Sequence, residues 1–346
     1  MKQSQTLAGV VLLLIAGCTT ATRQPAAEVQ GQSEPSVEFA YVSVLRDSQP
    51  VGDLTADEFV VEEDGERRQV IRVGPALIPM QVAILVDDSQ DLRTAMPHIR
   101  IGLNELIDRL PDGQQIAITT FGDQMRTVVD YTDDRVRLKR AATEFVVFST
   151  TSGFMLNALV NTALDLQGRG ARRPVIVLVT AEGSNAAMRT VGPGGGRRPR
   201  DMTSPVGVSP VSSQGVGFER VLSVLRETRV AVHTLVFRDI GTATFRASPI
   251  DAGRFGALSS GFGEADRLTV LEQLPSVTGG GRVEVGRATS ALPELLGRMA
   301  SEITNQYLVM YARPPVSALP REVAVSVTRQ GLTVRSTPAL PLPGAG

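Results

Sequence analysis

Val82-Ala83-Ile84-Leu85-Val86 runs directly into Asp87-Asp88-Ser89-Gln90-Asp91, and the reading of this passage decides the fold. Five apolar side chains in a row leave no polar face. A strand built from them must be covered on both sides, as the central strands of parallel sheets are. The residues that follow put carboxylates and a hydroxyl beyond the carboxyl end of that strand, which is where open parallel sheets bind ligands. Met96, Ile99, Leu103, Leu106, Ile107 and Leu110 then recur at helical spacing, so strand passes into helix.

The same alternation continues outward. Strands are expected at 116–121, 174–179, 232–237 and 282–285, with an edge strand near 125–129. Helices are marked by Leu138, Ala142 and Phe145, by Leu156, Leu159, Val160 and Ala163, by Phe218, Leu222 and Leu225, by Leu268, Leu271 and Leu274, and by Leu292, Leu295, Leu296, Met299 and Ile303. This order predicts an α/β domain over 79–304, a doubly wound and mostly parallel sheet. Two stretches lack any period, 184–215 with its Gly194-Gly195-Gly196-Arg197-Arg198-Pro199-Arg200 run and the Gly/Ser/Ala-rich 238–263, and are expected as long loops.

Both flanks read as β structure. Val37, Phe39 and Tyr41 alternate, and Asp64-Gly65 between 59–63 and 67–73 has the chemistry of a type I′ hairpin turn. Thr55-Ala56-Asp57-Glu58 has capping-box spacing. Val323, Val325 and Val327 alternate, Gln330-Gly331 forms a turn, and Leu332 and Val334 alternate again. Each segment alone has no second layer to cover its apolar face. The expectation is that 37–76 and 305–338 pair into one small β-sandwich with the α/β domain inserted between them.

The 346 residues are 42% hydrophobic and 21% charged, with a formal net charge of −1, which speaks against a nucleic-acid partner. One cysteine excludes an internal disulfide and a cysteine-based zinc site. The two histidines, His98 and His233, leave little for a histidine-rich metal centre, and His233 within an apolar strand reads as structural. Neither a Gly-x-Ser-x-Gly elbow nor a Gly-x-x-x-x-Gly-Lys loop is present, so no enzyme is expected. Lys2 and the apolar run 7–17, too short to span a bilayer, have the form of a signal peptide. The run ends in Ile15-Ala16-Gly17-Cys18, which resembles the bacterial lipoprotein processing box. That resemblance implies removal of 1–17 and covalent lipid, palmitate among the acyl chains, on Cys18. The polar, proline-containing stretch 18–36 would be a flexible tether to the membrane. Thr19 in place of aspartate points to the outer membrane, facing periplasm or surface, in a cell with two membranes.

The acidic turn admits two readings. Asp87, Ser89 and Asp91 present oxygens that suit Mg²⁺, Mn²⁺ or Ca²⁺. Alternatively Ser89 caps the following helix with Asp91 in its first turn. Here the text as a whole resembles the von Willebrand factor type A-related domain proteins of bacteria. The matching words are Pro50-Val51-Gly52-Asp53-Leu54-Thr55-Ala56-Asp57-Glu58-Phe59, Glu63-Asp64-Gly65, the 82–91 passage, Thr278-Gly279-Gly280, Gln306-Tyr307 and Tyr311. They fall in order over 37–335. The resemblance implies a metal-ion-dependent adhesion site built by three loops. Asp87, Ser89 and Asp91 would form the first. Phe154 stands where the second supplies a threonine hydroxyl, and Ala181 where the third supplies an aspartate. Neither side chain has a lone pair for a hard cation, although Glu182, Thr150, Thr151 or Ser152 could stand in. The expectation is a degenerate site, no resident Mg²⁺ or Mn²⁺, and a carboxylic pKa raised by repulsion between Asp87 and Asp91. The implied function is non-enzymatic protein binding or adhesion in the cell envelope, with a structural or assembly subunit of an envelope complex as the alternative and a metal-dependent adhesion protein or hydrolase as a third reading.

Overall fold

The computed structural model describes residues 36–147, 149, 153–182, 216–238, 260–286, 289–314 and 322–338, with backbone alone at 260–265. The expected signal peptide, Cys18, the tether, the 184–215 loop and Thr150, Thr151 and Ser152 lie outside these residues. The chain opens with β1 (Ser36–Arg46), β2 (Gln49–Pro50), β3 (Phe59–Glu63), β4 (Glu66–Arg68) and β5 (Val70–Pro75). Next come β6 (Gln81–Asp87), α1 (Met96–Arg109), β7 (Gln115–Phe121), β8 (Met125–Thr132), α2 (Arg135–Glu144), α3 (Met155–Gly168) and β9 (Pro174–Ala181). Then α4 (Phe218–Thr228), β10 (Ala231–Phe237), α5 (Ser260–Thr278), β11 (Arg282–Val285) and α6 (Leu292–Thr304) lead to β12 (Tyr307–Arg313), β13 (Val323–Val327) and β14 (Thr333–Pro338).

One sheet has the order β11-β10-β9-β6-β7-β8, parallel except for the antiparallel edge strand β8. Its faces separate along β6 with the two-residue period of a strand. Val82, Ile84 and Val86 join the cluster that includes Ile99, Leu103, Leu138 and Leu296. Ala83 and Leu85 join the other, with Leu159, Val224 and Leu271. Thus α1, α2 and α6 cover one face and α3, α4 and α5 the other. The aperiodic stretch expected through 263 is shorter than that, because α5 begins at Ser260. Glycines at 261 and 263 gave its first turn the look of a loop, and the apolar spacing starts only afterwards.

The outer strands form two antiparallel sheets, β14-β1-β12-β5 with β2 beside β1, and β13-β3-β4. Asp64 and Gly65 both have positive φ, 50° and 83°, as the β3–β4 hairpin requires. Strands β13 and β14 are consecutive but belong to different sheets, so the Gly331 turn joins layers rather than making a hairpin. Ala40, Val42 and Val44, with Tyr307 beside them on β12, face Phe59, Val61 and Val325 across the layers. The Phe59 and Tyr307 rings meet edge to face with centroids 5.2 Å apart. Phe39 and Tyr41, on the other side of β1, pack with Ala76. The Tyr41 hydroxyl donates to the Arg172 carbonyl, where the chain enters β9.

Candidate functional site

Strand β6 lies between β9 and β7, so its last residue emerges at the middle of the carboxyl edge with neighbours on both sides. Asp87, at that point, is completely buried. A buried carboxylate is tolerated only when charge and lone pairs are both answered. Here they are. One Asp87 oxygen, Oδ1, accepts the Ser89 N–H at 3.0 Å. The other, Oδ2, accepts the Thr180 hydroxyl at 2.9 Å and Nη2 of Arg267 at 3.0 Å. The same Nη2 donates to the Ala181 carbonyl at 2.6 Å. Arg267 comes from α5 and is only 5% exposed.

Asp88 has its own guanidinium. It is also completely buried, and its Oδ2 accepts Nη1 of Arg126 at 3.0 Å. Arg126, on β8, donates through Nη2 to Asp123 at 3.1 Å, and the Ser149 hydroxyl donates to the same Asp123 oxygen at 2.8 Å. The Ser149 hydrogen bond is the main reason that the Asp123 carboxyl sits below the usual range. Gly122 makes room for this cluster, since a Cβ there would fall 2.3 Å from Ser149 Oγ and 2.5 Å from Asp88 Oδ1.

The remaining predicted residues fall as follows. Ser89 is buried, and among the described residues its Oγ has no hydrogen-bond partner. It precedes a short 3₁₀ turn over Gln90–Leu92 that carries Asp91, yet its side chain makes no capping bond. The Asp91 carboxyl is pushed up, chiefly by burial and then by Asp87, while Arg267 pulls the other way. The repulsion foreseen from the sequence is therefore present as the second cause. Phe154 precedes α3 and donates its backbone N–H to the Gly122 carbonyl, its ring bringing no oxygen to the edge. Ala181 ends β9 and contributes only the carbonyl that Arg267 takes. Glu182 faces Arg238 at 3.8 Å. His233 is fully buried in β10, with Nδ1 accepting the Gly281 N–H at 3.0 Å, and burial pushes its pKa down. His98 Nδ1 lies 3.1 Å from the Thr289 hydroxyl.

These residues do not fit a divalent cation. Such an ion needs about six oxygen ligands, but both Asp87 oxygens are already taken by N–H and O–H donors. A second positive charge at Oδ2 would be repelled by the guanidinium. Among the described residues no group of three His, Cys, Asp or Glu side chains could hold a metal. Arg267 and Arg126 were the residues that sequence reasoning missed. The signal for Arg267 was present: it stands three, four and seven residues before Val270, Leu271 and Leu274, on the buried stripe of α5, where a lone charge needs a buried partner.

Residues 82–183 match the model of the von Willebrand factor type A domain. Among solved structures, the chain is similar to a von Willebrand factor type A protein from Catenulispora acidiphila, at 11% identity, covering 89% of this chain and 72% of that one, with a TM-score of 0.41. It is similar to the conserved hypothetical protein BatB from Bacteroides thetaiotaomicron at 16% identity, covering 64% and 98%, with a TM-score of 0.38. For proximal thread matrix protein 1 from the mussel byssus the identity is 14%, the coverage 70% of this chain and 49% of that one, and the TM-score 0.40. The chain thus spans about half the length of the mussel protein. No curated protein matches the sequence.

Proposed function

We propose that this chain, which carries a von Willebrand factor type A domain, is an exported, lipid-anchored protein of the cell envelope that binds protein partners without a bridging metal and without catalysis. The observation that carries the reading is the Arg267 guanidinium on Asp87, buried where an adhesion site of this family would hold its cation. A partner therefore has no exchangeable metal to complete. Binding would instead use side chains around the carboxyl edge of the sheet. The absence of catalysis is supported by the placement of the histidines, one sealed within β10 and the other bonded to Thr289. Anchoring is supported by the Ile15-Ala16-Gly17-Cys18 box. Among the described residues no helix is long and apolar enough to cross a membrane.

The test is to crosslink the lipidated chain in intact envelopes, capture it from detergent, and identify what comes with it by mass spectrometry. Capture of a protein partner is expected to be unchanged by EDTA. Release of that partner by EDTA would contradict a metal-independent surface. Cys18→Ser is expected to move the chain from the membrane fraction to the soluble one, and retention in the membrane would contradict the anchor. A fixed stoichiometry in the captured complex would favour an assembly subunit, and substoichiometric capture an adhesion role.

A further inference from the structure

We infer that Arg267 is a tethered cation that has replaced a divalent metal in this domain, and that it covers a latent, oxygen-lined metal site. The inference rests on the reading of the adhesion site as lost and deepens it by naming what took the ion's place. Three oxygens from two strands converge on a single nitrogen: Asp87 Oδ2 at 3.0 Å, Ala181 O at 2.6 Å and Thr180 Oγ1 at 2.5 Å from Arg267 Nη2. Such convergence on one point is what a hard cation demands of its ligands. Two further oxygen donors lie on the same turn. They are Ser89 Oγ, buried and without a hydrogen-bond partner among the described residues, and the carboxyl of Asp91, two residues further along.

The replacement follows from electrostatics. Asp87 is fully buried, and an uncompensated carboxylate in that position would oppose folding. A metal answers the charge only when it is present in solution. Arg267 is held by α5 through Val270, Leu271 and Leu274, so the charge arrives with the fold. It also satisfies the Ala181 carbonyl at 2.6 Å. At 5% exposure the guanidinium is out of reach of a partner's carboxylate, so the tethered cation closes the site rather than bridging from it.

The experiment compares the full-length chain in detergent with Arg267→Met, Arg267→Lys and the double variant Arg267→Met/Asp87→Asn, using Mn²⁺ alone as the probe. Calorimetry and thermal unfolding are the readouts. The wild type is expected to take up no Mn²⁺ and to show no change in Tm. In EDTA, Arg267→Met is expected to lose about 5–10 °C in Tm, because the buried carboxylate has lost its partner. It should recover part of that loss in Mn²⁺ and bind the ion at least about tenfold more tightly than the wild type. Arg267→Lys, still cationic, should ignore Mn²⁺, and the double variant should not bind it. If a folded Arg267→Met binds Mn²⁺ no better than the wild type, the latent site is disproved while the metal-free reading survives. Wild-type uptake of Mn²⁺ that depends on Asp87 would instead overturn that reading itself. Should Arg267→Met be unfolded in EDTA, Mn²⁺ is expected to restore its circular dichroism. Failure to fold in either medium, repeated with Arg267→Gln, would also overturn the inference.

Discussion

Asp91 shows how a single side chain in the acidic turn sets a pH dependence. Burial first, and the Asp87 charge second, raise its pKa above 3.8 in the folded chain. The folded protein therefore keeps a proton that the unfolded chain releases. The stability this group contributes is fully present below pH 3.8 and is lost as the pH rises through the raised value. An Asp91→Asn side chain cannot ionise and escapes that loss. Asp91→Asn is expected to match the wild type in Tm near pH ~3.5 and to exceed it near pH ~7. Equal midpoints at both values would remove Asp91 as a source of the slope. At this scale the sequence displayed the acids of the turn and the two substituted ligand positions, Phe154 and Ala181. It did not display what neutralises the acids, because Arg267 lies 180 residues from Asp87 and only the packing of α5 across the sheet brings them together. Charge pairing over such a separation has no local pattern to read.

Elements were legible wherever one period ran without interruption. The β6 run and the stripe of α1 have unambiguous patterns, and the β3–β4 turn announces itself in Asp64-Gly65. The start of α5 was hidden by its glycines. The assignment of β13 and β14 to different layers was hidden because alternation shows which face is apolar and not which sheet it joins. The Thr278-Gly279-Gly280 words, noted only as matching text, have a packing reason. Thr278 Oγ1 accepts the Val232 N–H at 3.2 Å, and its carbonyl accepts the Thr337 hydroxyl at 2.6 Å, joining α5 to β10 and β14. The turn after it presses on backbone from both sides. A Cβ on Gly279 would lie 1.9 Å from the Ser336 carbonyl oxygen, and one on Gly280 would lie 2.0 Å from that of Val232. Main chain in two strands cannot give way as the end of a flexible side chain can. Gly280→Ala is therefore expected to cost at least about 3 kcal/mol, measured by urea unfolding. A loss below about 1 kcal/mol would mean that β10 and the turn separate more easily than their contact implies.

At the scale of the whole molecule, the question is what couples the sandwich to the α/β domain, and two of the residues that carried the family resemblance, Gln306 and Thr278, take part. Within the sandwich, the Tyr307 hydroxyl accepts the Leu54 N–H at 3.1 Å and donates to the Val51 carbonyl at 2.9 Å, so the word at 50–59 is pinned by the word at 306–307. Tyr311 donates to Glu63 at 3.0 Å. Gln306 donates to the Ser43 hydroxyl at 3.0 Å and accepts from Arg173 at 2.9 Å. Arg173 stands at the centre of the junction, 3% exposed, with its guanidinium 5.1 Å from the centre of the Tyr41 ring. Through Nη1 it donates to the Ala76 carbonyl at 2.8 Å, and through Nη2 to the Ile303 carbonyl at 2.5 Å. These carbonyls lie where the chain enters the α/β domain before β6 and where it leaves through the last turn of α6, so one side chain clamps both crossings. Burial lowers its pKa to about 10, which leaves it charged at neutral pH. Arg173→Met keeps much of the bulk and removes the donors. It would leave Ala76, Ile303 and Gln306 each with a buried acceptor unsatisfied, at about 1–3 kcal/mol apiece before relaxation. The expected outcome in calorimetry is a lower Tm and a single unfolding transition that splits in two, because the sandwich no longer melts with the domain it encloses. A lower Tm with one transition would show that the Tyr41–Arg172 and Thr337–Thr278 contacts are enough to keep the halves cooperative, and that Arg173 contributes stability without contributing the coupling.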